Sequence, residues 1–146
     1  MLVIGIGNNY RGDDGVGPAV LALLRTMKLP GVRLLECDGD CSTLLDAWQG
    51  ADAVVLIDAV SSSAPPGMMY RLDLLTQELP RDLSFQSTHA FGVAEALELG
   101  RVLNQLPASL ALYAIEGKSF ATGTGFSSEV ASAVQEVARQ LERELA

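Results

Sequence analysis

The sequence contains few of the residues that enzymes use most often to bind a metal ion or to form a covalent intermediate. It has one histidine, His89, and two cysteines, Cys37 and Cys41. A single histidine excludes the H-E-x-x-H zinc motif, and the G-x-S-x-G motif of serine hydrolases is also absent. The C-x3-C spacing of the cysteines matches neither a redox motif nor a zinc site. We therefore interpret them as two reduced thiols.

Positive charge and long apolar runs are also scarce. Ten basic residues stand against eighteen acidic ones, which gives a net charge of −8. This balance argues against nucleic acid or an anionic membrane as the main partner. No apolar run approaches the length of a membrane span, and the first residues form an apolar strand pattern without the basic flank of a signal peptide. We therefore expect a cytoplasmic protein with one domain over residues 1–146.

Apolar segments of strand length alternate with helical patterns along the chain. We predict strands at 2–6, 32–37, 53–59, 68–73 and 109–116, helices at 15–28, 42–49, 90–105 and from 127 onwards, and an irregular loop at 74–88. This alternation predicts an α/β fold, a three-layer sandwich with a mostly parallel, twisted, five-stranded sheet and helices on both faces. The connection before the fourth strand is too short for a parallel crossover, so we predict that strand to be antiparallel and at an edge.

The glycine-rich segment from Gly5 to Gly17 joins the first strand to the first helix. Turns of this kind usually bind phosphate. Here the turn carries two adjacent carboxylates, Asp13 and Asp14, and one cation, Arg11, so a phosphate would be repelled. The third glycine of a dinucleotide motif is also missing, because Tyr10 occupies its place. The segment therefore favours a metal ion or a cationic partner over a nucleotide.

Acidic residues follow several of the predicted strands. In a parallel sheet these strand ends meet at one pole, where α/β proteins bind their ligands. The loop that contains His89 should reach the same pole. Aspartate and histidine side chains suit nickel, zinc, manganese or iron, without selecting one of them. The acidic residues concerned are Asp13, Asp14, Asp38, Asp40, Asp58 and Glu116.

Each of these residues also has a simpler interpretation. Asp13 or Asp14 can cap the first helix, and the segment 38–40 is a good turn sequence. His89 can be an ordinary hydrogen-bonded side chain, and Glu116 can be satisfied by local backbone amides. Asp58 is the hardest to explain without a function, since a carboxylate at the end of an apolar strand is costly unless it is paired or faces a cleft.

A series of short motifs occurs in a fixed order along the chain. They are Gly5-Ile-Gly-Asn8, Asp13-Asp14-Gly15-Val-Gly17, Asp38-Gly39, Leu56-Ile-Asp58-Ala59, Ser87-Thr-His89, Ile115-Glu-Gly117 and Gly125-Phe-Ser-Ser-Glu129. Together they resemble the maturation endopeptidases of nickel–iron hydrogenases, and the resemblance covers nearly the whole chain. It implies the fold predicted above and an enzyme that removes a C-terminal extension from the hydrogenase large-subunit precursor after nickel insertion.

The resemblance also implies the residues of the site. The family's metal-contacting positions fall on Asp14, Asp58 and His89, which we take as both the catalytic and the nickel-contacting residues. The enzyme is expected to have no metal or other cofactor of its own, because the nickel is carried by the substrate. Either Asp14 or Asp58 activates water, or the three residues only recognise nickel and align the bond. The expected partner is the precursor, and we expect a monomer.

A second hypothesis comes from a different functional class. The same α/β fold can serve as a non-catalytic binding module for a metal ion or a nucleotide. The missing third glycine argues against a dinucleotide module, and the lack of a His-rich or Cys-rich tract argues against a metal carrier. A peptidase shortens the precursor, whereas a binding module leaves it intact.

Overall fold

The fold is taken from a computed structural model that describes residues 1–7, 12–38, 40–61, 64–76, 84–85, 92–117 and 126–145. The strands are β1 (Leu2–Ile6), β2 (Arg33–Cys37), β3 (Ala53–Ser61), β4 (Met69–Asp73), β5 (Ser84–Phe85) and β6 (Ser109–Glu116). The helices are α1 (Val16–Thr26), α2 (Cys41–Trp48), α3 (Gly92–Val102) and α4 (Ser128–Leu145), and a 3-10 helix at Gly12–Gly15 precedes α1. Within the described ranges, no helix combines the length and the apolar character needed to cross a bilayer.

The sheet has the strand order β2-β1-β3-β6-β4. The pairs β1–β2, β1–β3 and β3–β6 are parallel, and β4 is an antiparallel edge strand on β6. The predicted mostly parallel sheet and its antiparallel edge are therefore confirmed. Strand β3 is central, and apolar residues fill almost its whole length, as expected for a strand covered on both faces.

One short strand was not predicted, and it pairs with the end of β3. Strand β1 pairs with β3 as far as Ile57. Beyond that point β5 pairs antiparallel with β3, at Val60 and Ser61. The prediction of an irregular loop over 74–88 is therefore wrong at 84–85, and β3 ends at Ser61 rather than Ala59. A two-residue strand has too few residues to show an alternating pattern, and so the sequence does not indicate it.

Two apolar cores lie on opposite faces of the sheet. Alternate residues of β3 point to opposite faces, so Leu56 and Val60 pack with α2 and α3, whereas Val55 and Ile57 pack with α1 and α4. Helix α1 contacts α4, and α2 contacts α3. This arrangement confirms the three-layer α/β sandwich.

Two glycines of the first motif allow β1 and α1 to approach at backbone distance. A Cβ atom at Gly17 would lie 2.4 Å from the carbonyl oxygen of Ile6, and one at Gly5 would lie 2.6 Å from that of Gly17. Any side chain at either position would force the helix away from the sheet. The close contact fixes the start of α1, and with it the Gly12–Gly15 3-10 helix, at the carboxyl end of β1.

The N-cap of α2 lies before the predicted start of the helix. Asp40 is the N-cap, and its Oδ2 accepts hydrogen bonds from the Thr43 amide (3.4 Å) and the Ser42 hydroxyl (2.6 Å). The helix therefore begins at Cys41, one residue before the predicted start at Ser42. For α1 the N-cap is Gly15, so the expectation that Asp13 or Asp14 caps that helix is wrong.

Removing the α2 cap should lower stability by a modest amount. We expect Asp40→Ala to reduce the free energy of unfolding by about 1 kcal/mol, because the first-turn amide loses its acceptor. Asp40→Asn keeps an acceptor oxygen and should stay close to the wild type. Urea unfolding of the three proteins measures the difference, and equal losses in both variants would contradict the capping role.

A cluster of three polar side chains joins α4 to strands β4 and β6 at the edge of the sheet. Glu144 accepts hydrogen bonds from the Arg71 guanidinium and from the Tyr113 hydroxyl (2.5 Å), and the Arg71 guanidinium lies 5.8 Å from the centroid of the Tyr113 ring. Burial raises the pKa of Glu144, but the two hydrogen bonds and the charge of Arg71 outweigh it, and the net pKa is lowered. This group fixes the last turn of α4 against β4 and β6.

The lowered pKa of Glu144 predicts a pH-dependent contribution to stability. The contribution is present above the carboxyl's pKa in the unfolded chain and is lost as the pH falls through its pKa in the folded protein. Because Arg71 is about half exposed, we expect Glu144→Gln to lower the unfolding free energy by no more than about 1 kcal/mol at neutral pH. The difference should vanish in acid, and urea unfolding at both pH values tests this. Glu142→Gln, an exposed change on the same helix, should have no effect.

Candidate functional site

The carboxyl ends of β1, β2, β3 and β6 lie at one pole of the sheet because these strands are parallel. The Gly12–Gly15 3-10 helix contacts both β3 and α1 at this pole. The backbone of Asp13 and Asp14 is therefore placed beside the strand that carries Asp58. The side chains of these two aspartates lie outside the described part of the chain.

Asp58 is a completely buried carboxylate in the central strand. Its side chain is 0% exposed, and its Oδ1 accepts a hydrogen bond from the Ala59 amide at 2.8 Å. It is followed by three further residues of β3 and faces α2 and α3, on the same side as Leu56 and Val60. Completely buried carboxyls are uncommon because they need partners inside the fold, so Asp58 marks a candidate functional position.

Glu116 is a second buried carboxyl on the same face of the sheet. It is the last residue of β6 and is 1% exposed. The register pairs Asp58 with Ala114 and Val60 with Glu116, so the two carboxyl residues are diagonal neighbours on adjacent strands. Alternation along β6 turns Glu116 to the side of Leu112 and Ala114, which pack with α2 and α3.

The two aspartates that follow β2, Asp38 and Asp40, are joined by a hydrogen bond. The Asp40 amide donates a hydrogen bond to Asp38 Oδ1 at 3.0 Å, and the Asp40 side chain caps α2. These contacts agree with the turn interpretation of the segment 38–40.

Among the described residues, no three metal-binding side chains are grouped closely enough to hold an ion. The predicted metal site consists of Asp14, Asp58 and His89. Of these, Asp58 alone has a described side chain. His89 lies outside the described residues, as do Arg11 and Lys118.

Both cysteines are held as neutral thiols at neutral pH. Burial, with a further contribution from the charge of Asp38, raises the pKa of Cys37 to about 11. Burial also raises the pKa of Cys41, followed by the charges of Glu95 and Asp40. Since the thiolate is the reactive form, neither residue is suited to act as a nucleophile. This result agrees with the interpretation of both as reduced thiols, and both are free of disulfides.

Comparison with known proteins gives consistent matches along the chain. A family model described as hydrogenase maturation protease matches residues 19–144. The hydrogenase expression/formation protein HupD of Thiocapsa roseopersicina is 37% identical over 120 residues, which is 80% of this chain and 53% of that protein. A putative hydrogenase maturation protease of Methanocaldococcus jannaschii is 30% identical over 142 residues, 92% of this chain and 88% of the relative. The chain thus spans about half the length of the Thiocapsa protein.

Solved structures show that the fold is shared. The [NiFe] hydrogenase maturation protease HybD from Thermococcus kodakarensis superposes with a TM-score of 0.77 at 24% identity, covering 99% of this chain and 98% of its own. The hydrogenase maturating endopeptidase HybD from E. coli gives a TM-score of 0.74 at 23% identity, covering 99% and 90%. The family match and the Methanocaldococcus relative together show that the chain belongs to the hydrogenase maturation protease family.

Proposed function

We propose that the protein is an endopeptidase that removes the C-terminal extension of a nickel-loaded hydrogenase large-subunit precursor. In this proposal Asp14, Asp58 and His89 recognise the nickel ion that the precursor carries. The observation that supports it most is the buried Asp58 carboxylate in the central strand of a member of this family. Asp58 is the member of the proposed set whose side chain is described, and carboxylate oxygens are ligands that divalent metal ions accept.

The proposed ligands suit a metal that arrives with the substrate. Two carboxylates and one imidazole form an incomplete, oxygen-rich set that would hold nickel weakly by itself. An ion already bound by cysteines of the precursor could accept one or two of these ligands. Because the Asp58 side chain is fully covered, a precursor that reaches it must displace some of the residues that cover it. Since the precursor supplies the nickel, the enzyme needs no metal of its own.

Nickel contact can assist hydrolysis in two ways. Asp14 or Asp58 can take a proton from the attacking water beside the ion. Alternatively, the three residues bind the ion only to align the scissile bond with the water. We further propose that the protein acts as a monomer in the cytoplasm, with the precursor rather than nucleic acid or membrane as its partner.

The proposal is tested by the mass of the precursor. The protein is incubated with a nickel-loaded large-subunit precursor from the same cell, and the intact mass is measured over time. A peptidase produces a single shortened species and a released C-terminal peptide. An unchanged mass with this and a second loaded precursor would contradict the proposal and favour a non-catalytic binding module on the same fold.

A further inference from the structure

Peptide hydrolysis needs a group that moves a proton, and a metal-bound carboxylate is a poor choice for that task. Coordination to a divalent cation requires the deprotonated form and competes with proton binding. If Asp14, Asp58 and His89 contact nickel as proposed above, their affinity for a proton falls while the precursor is bound. A carboxyl near the same pole that is not a proposed nickel ligand is better suited to accept the proton.

Glu116 has the position for this task. It lies on the same face of the sheet as Asp58 and ends the neighbouring strand. In parallel strands about 4.8 Å apart that rise about 3.3 Å per residue, diagonal neighbours are about 8 Å apart, within reach of a long side chain. The residue paired with Asp58 on β6 is Ala114, and the residue paired with Glu116 on β3 is Val60, so no other polar side chain of these two strands stands between the two carboxyls. Glu116 is therefore near Asp58 but is not one of the proposed nickel ligands.

The backbone of Glu116 is held from both sides. Its carbonyl accepts a hydrogen bond from the Gly67 amide at 2.7 Å, and its amide donates to the Met68 carbonyl at 2.8 Å. The amide of the next residue, Gly117, donates a hydrogen bond to the Val60 carbonyl at 3.0 Å. A Cβ atom at Gly67 would lie 2.6 Å from the Glu129 carbonyl oxygen, so the backbone at Gly67 is in close contact with α4. These contacts fix where the Glu116 side chain starts, as proton transfer requires.

We propose that Glu116 is the carboxyl that transfers the proton in precursor cleavage, an inference that rests on the proposed function. The Glu116 carboxylate accepts a proton from the attacking water while the water oxygen bonds to the scissile carbonyl carbon. The tetrahedral intermediate then collapses, the carbon–nitrogen bond breaks, and Glu116 returns the proton to the departing amine nitrogen. Glu116 is again a carboxylate, and no other reactant is consumed. The three nickel-contacting residues then recognise the ion and align the bond.

Glu116→Gln separates proton transfer from a purely structural role. Glutamine keeps the size of the side chain and one acceptor oxygen but cannot carry the proton. We expect kcat for the nickel-loaded precursor to fall by about 100-fold or more. The affinity for the precursor and the melting temperature should stay at the wild-type values. Glu142→Gln, an exposed change on α4, is the matched control and should keep full activity.

A cleavage rate of Glu116→Gln within about threefold of the wild type would overturn the inference. If the glutamine variant does not fold, Glu116→Asp provides the test, since it keeps a carboxyl but moves it by one methylene. Its kcat should fall by about tenfold or more at unchanged precursor affinity, and a wild-type kcat would overturn the inference. A wild-type protein that leaves the loaded precursor intact would instead contradict the proposed function.

Discussion

Asp58→Asn is expected to abolish precursor cleavage while the protein stays folded. Asparagine has nearly the same shape, and its side-chain oxygen can still accept the Ala59 amide that now donates to Asp58 Oδ1 at 2.8 Å. The negative charge that would contact nickel is lost. We expect the cleavage rate to fall by about 100-fold or more. The rate is measured by intact mass, and the fold is checked by circular dichroism and the melting temperature.

Asp52→Asn is the matched control for this change. Asp52 is exposed just before β3, at the pole opposite the candidate site, and its carbonyl accepts the Ser109 amide through the backbone alone. The control should cleave at the wild-type rate. Wild-type cleavage by a folded Asp58→Asn variant would show that this carboxylate has no part in the reaction. Loss of activity in both variants would show that the effect does not depend on the site.

Gly17→Ala is expected to destabilise the protein by about 3 kcal/mol or more, because the new methyl group overlaps the central sheet. Its Cβ would lie 2.4 Å from the Ile6 carbonyl oxygen and 2.5 Å from the Ile6 nitrogen. These are backbone atoms of an interior strand and cannot move aside cheaply. Helix propensity predicts the opposite sign, since alanine is favoured over glycine by about 1 kcal/mol. Urea unfolding gives the sign and the size of the effect.

Ala22→Gly, at an exposed position of the same helix, isolates the propensity term. It should cost about 1 kcal/mol, with no change in the contact between helix and sheet. A Gly17→Ala protein as stable as the wild type would mean that β1 and α1 do not approach as closely as described. The Gly12–Gly15 3-10 helix would then lack the fixed position that brings Asp14 to the candidate site.

The sequence predicts the strands and helices well because each is long enough to show its period. The continuous apolar run of β3 and the stripe of α4 give clear signals, and the short connection before β4 correctly predicts an antiparallel edge. The two-residue β5 has no pattern to detect. The start of α2 was missed by one residue because Asp40 and Ser42 are both good capping residues, and the choice between them depends on the turn made by Asp38.

The candidate site is predicted less completely than the fold. Asp58 is recognisable from the sequence because a carboxylate interrupts an apolar strand. The relation of Asp58 to Glu116 depends on the register between β3 and β6, which pairs Ala53 with Ser109. A shift of that register by two residues would change which residues are diagonal neighbours without altering either strand's own pattern. The pairing therefore comes from the three-dimensional fold.

The proposed function requires the site to recognise nickel that the precursor carries. The most direct measurement compares the affinity of the wild type and of Asp58→Asn for the same precursor with and without nickel. We expect nickel loading to tighten binding of the precursor to the wild type by about tenfold or more, and we expect Asp58→Asn to lose most of this gain. Equal affinities of the wild type for the loaded and the empty precursor would contradict the proposed function.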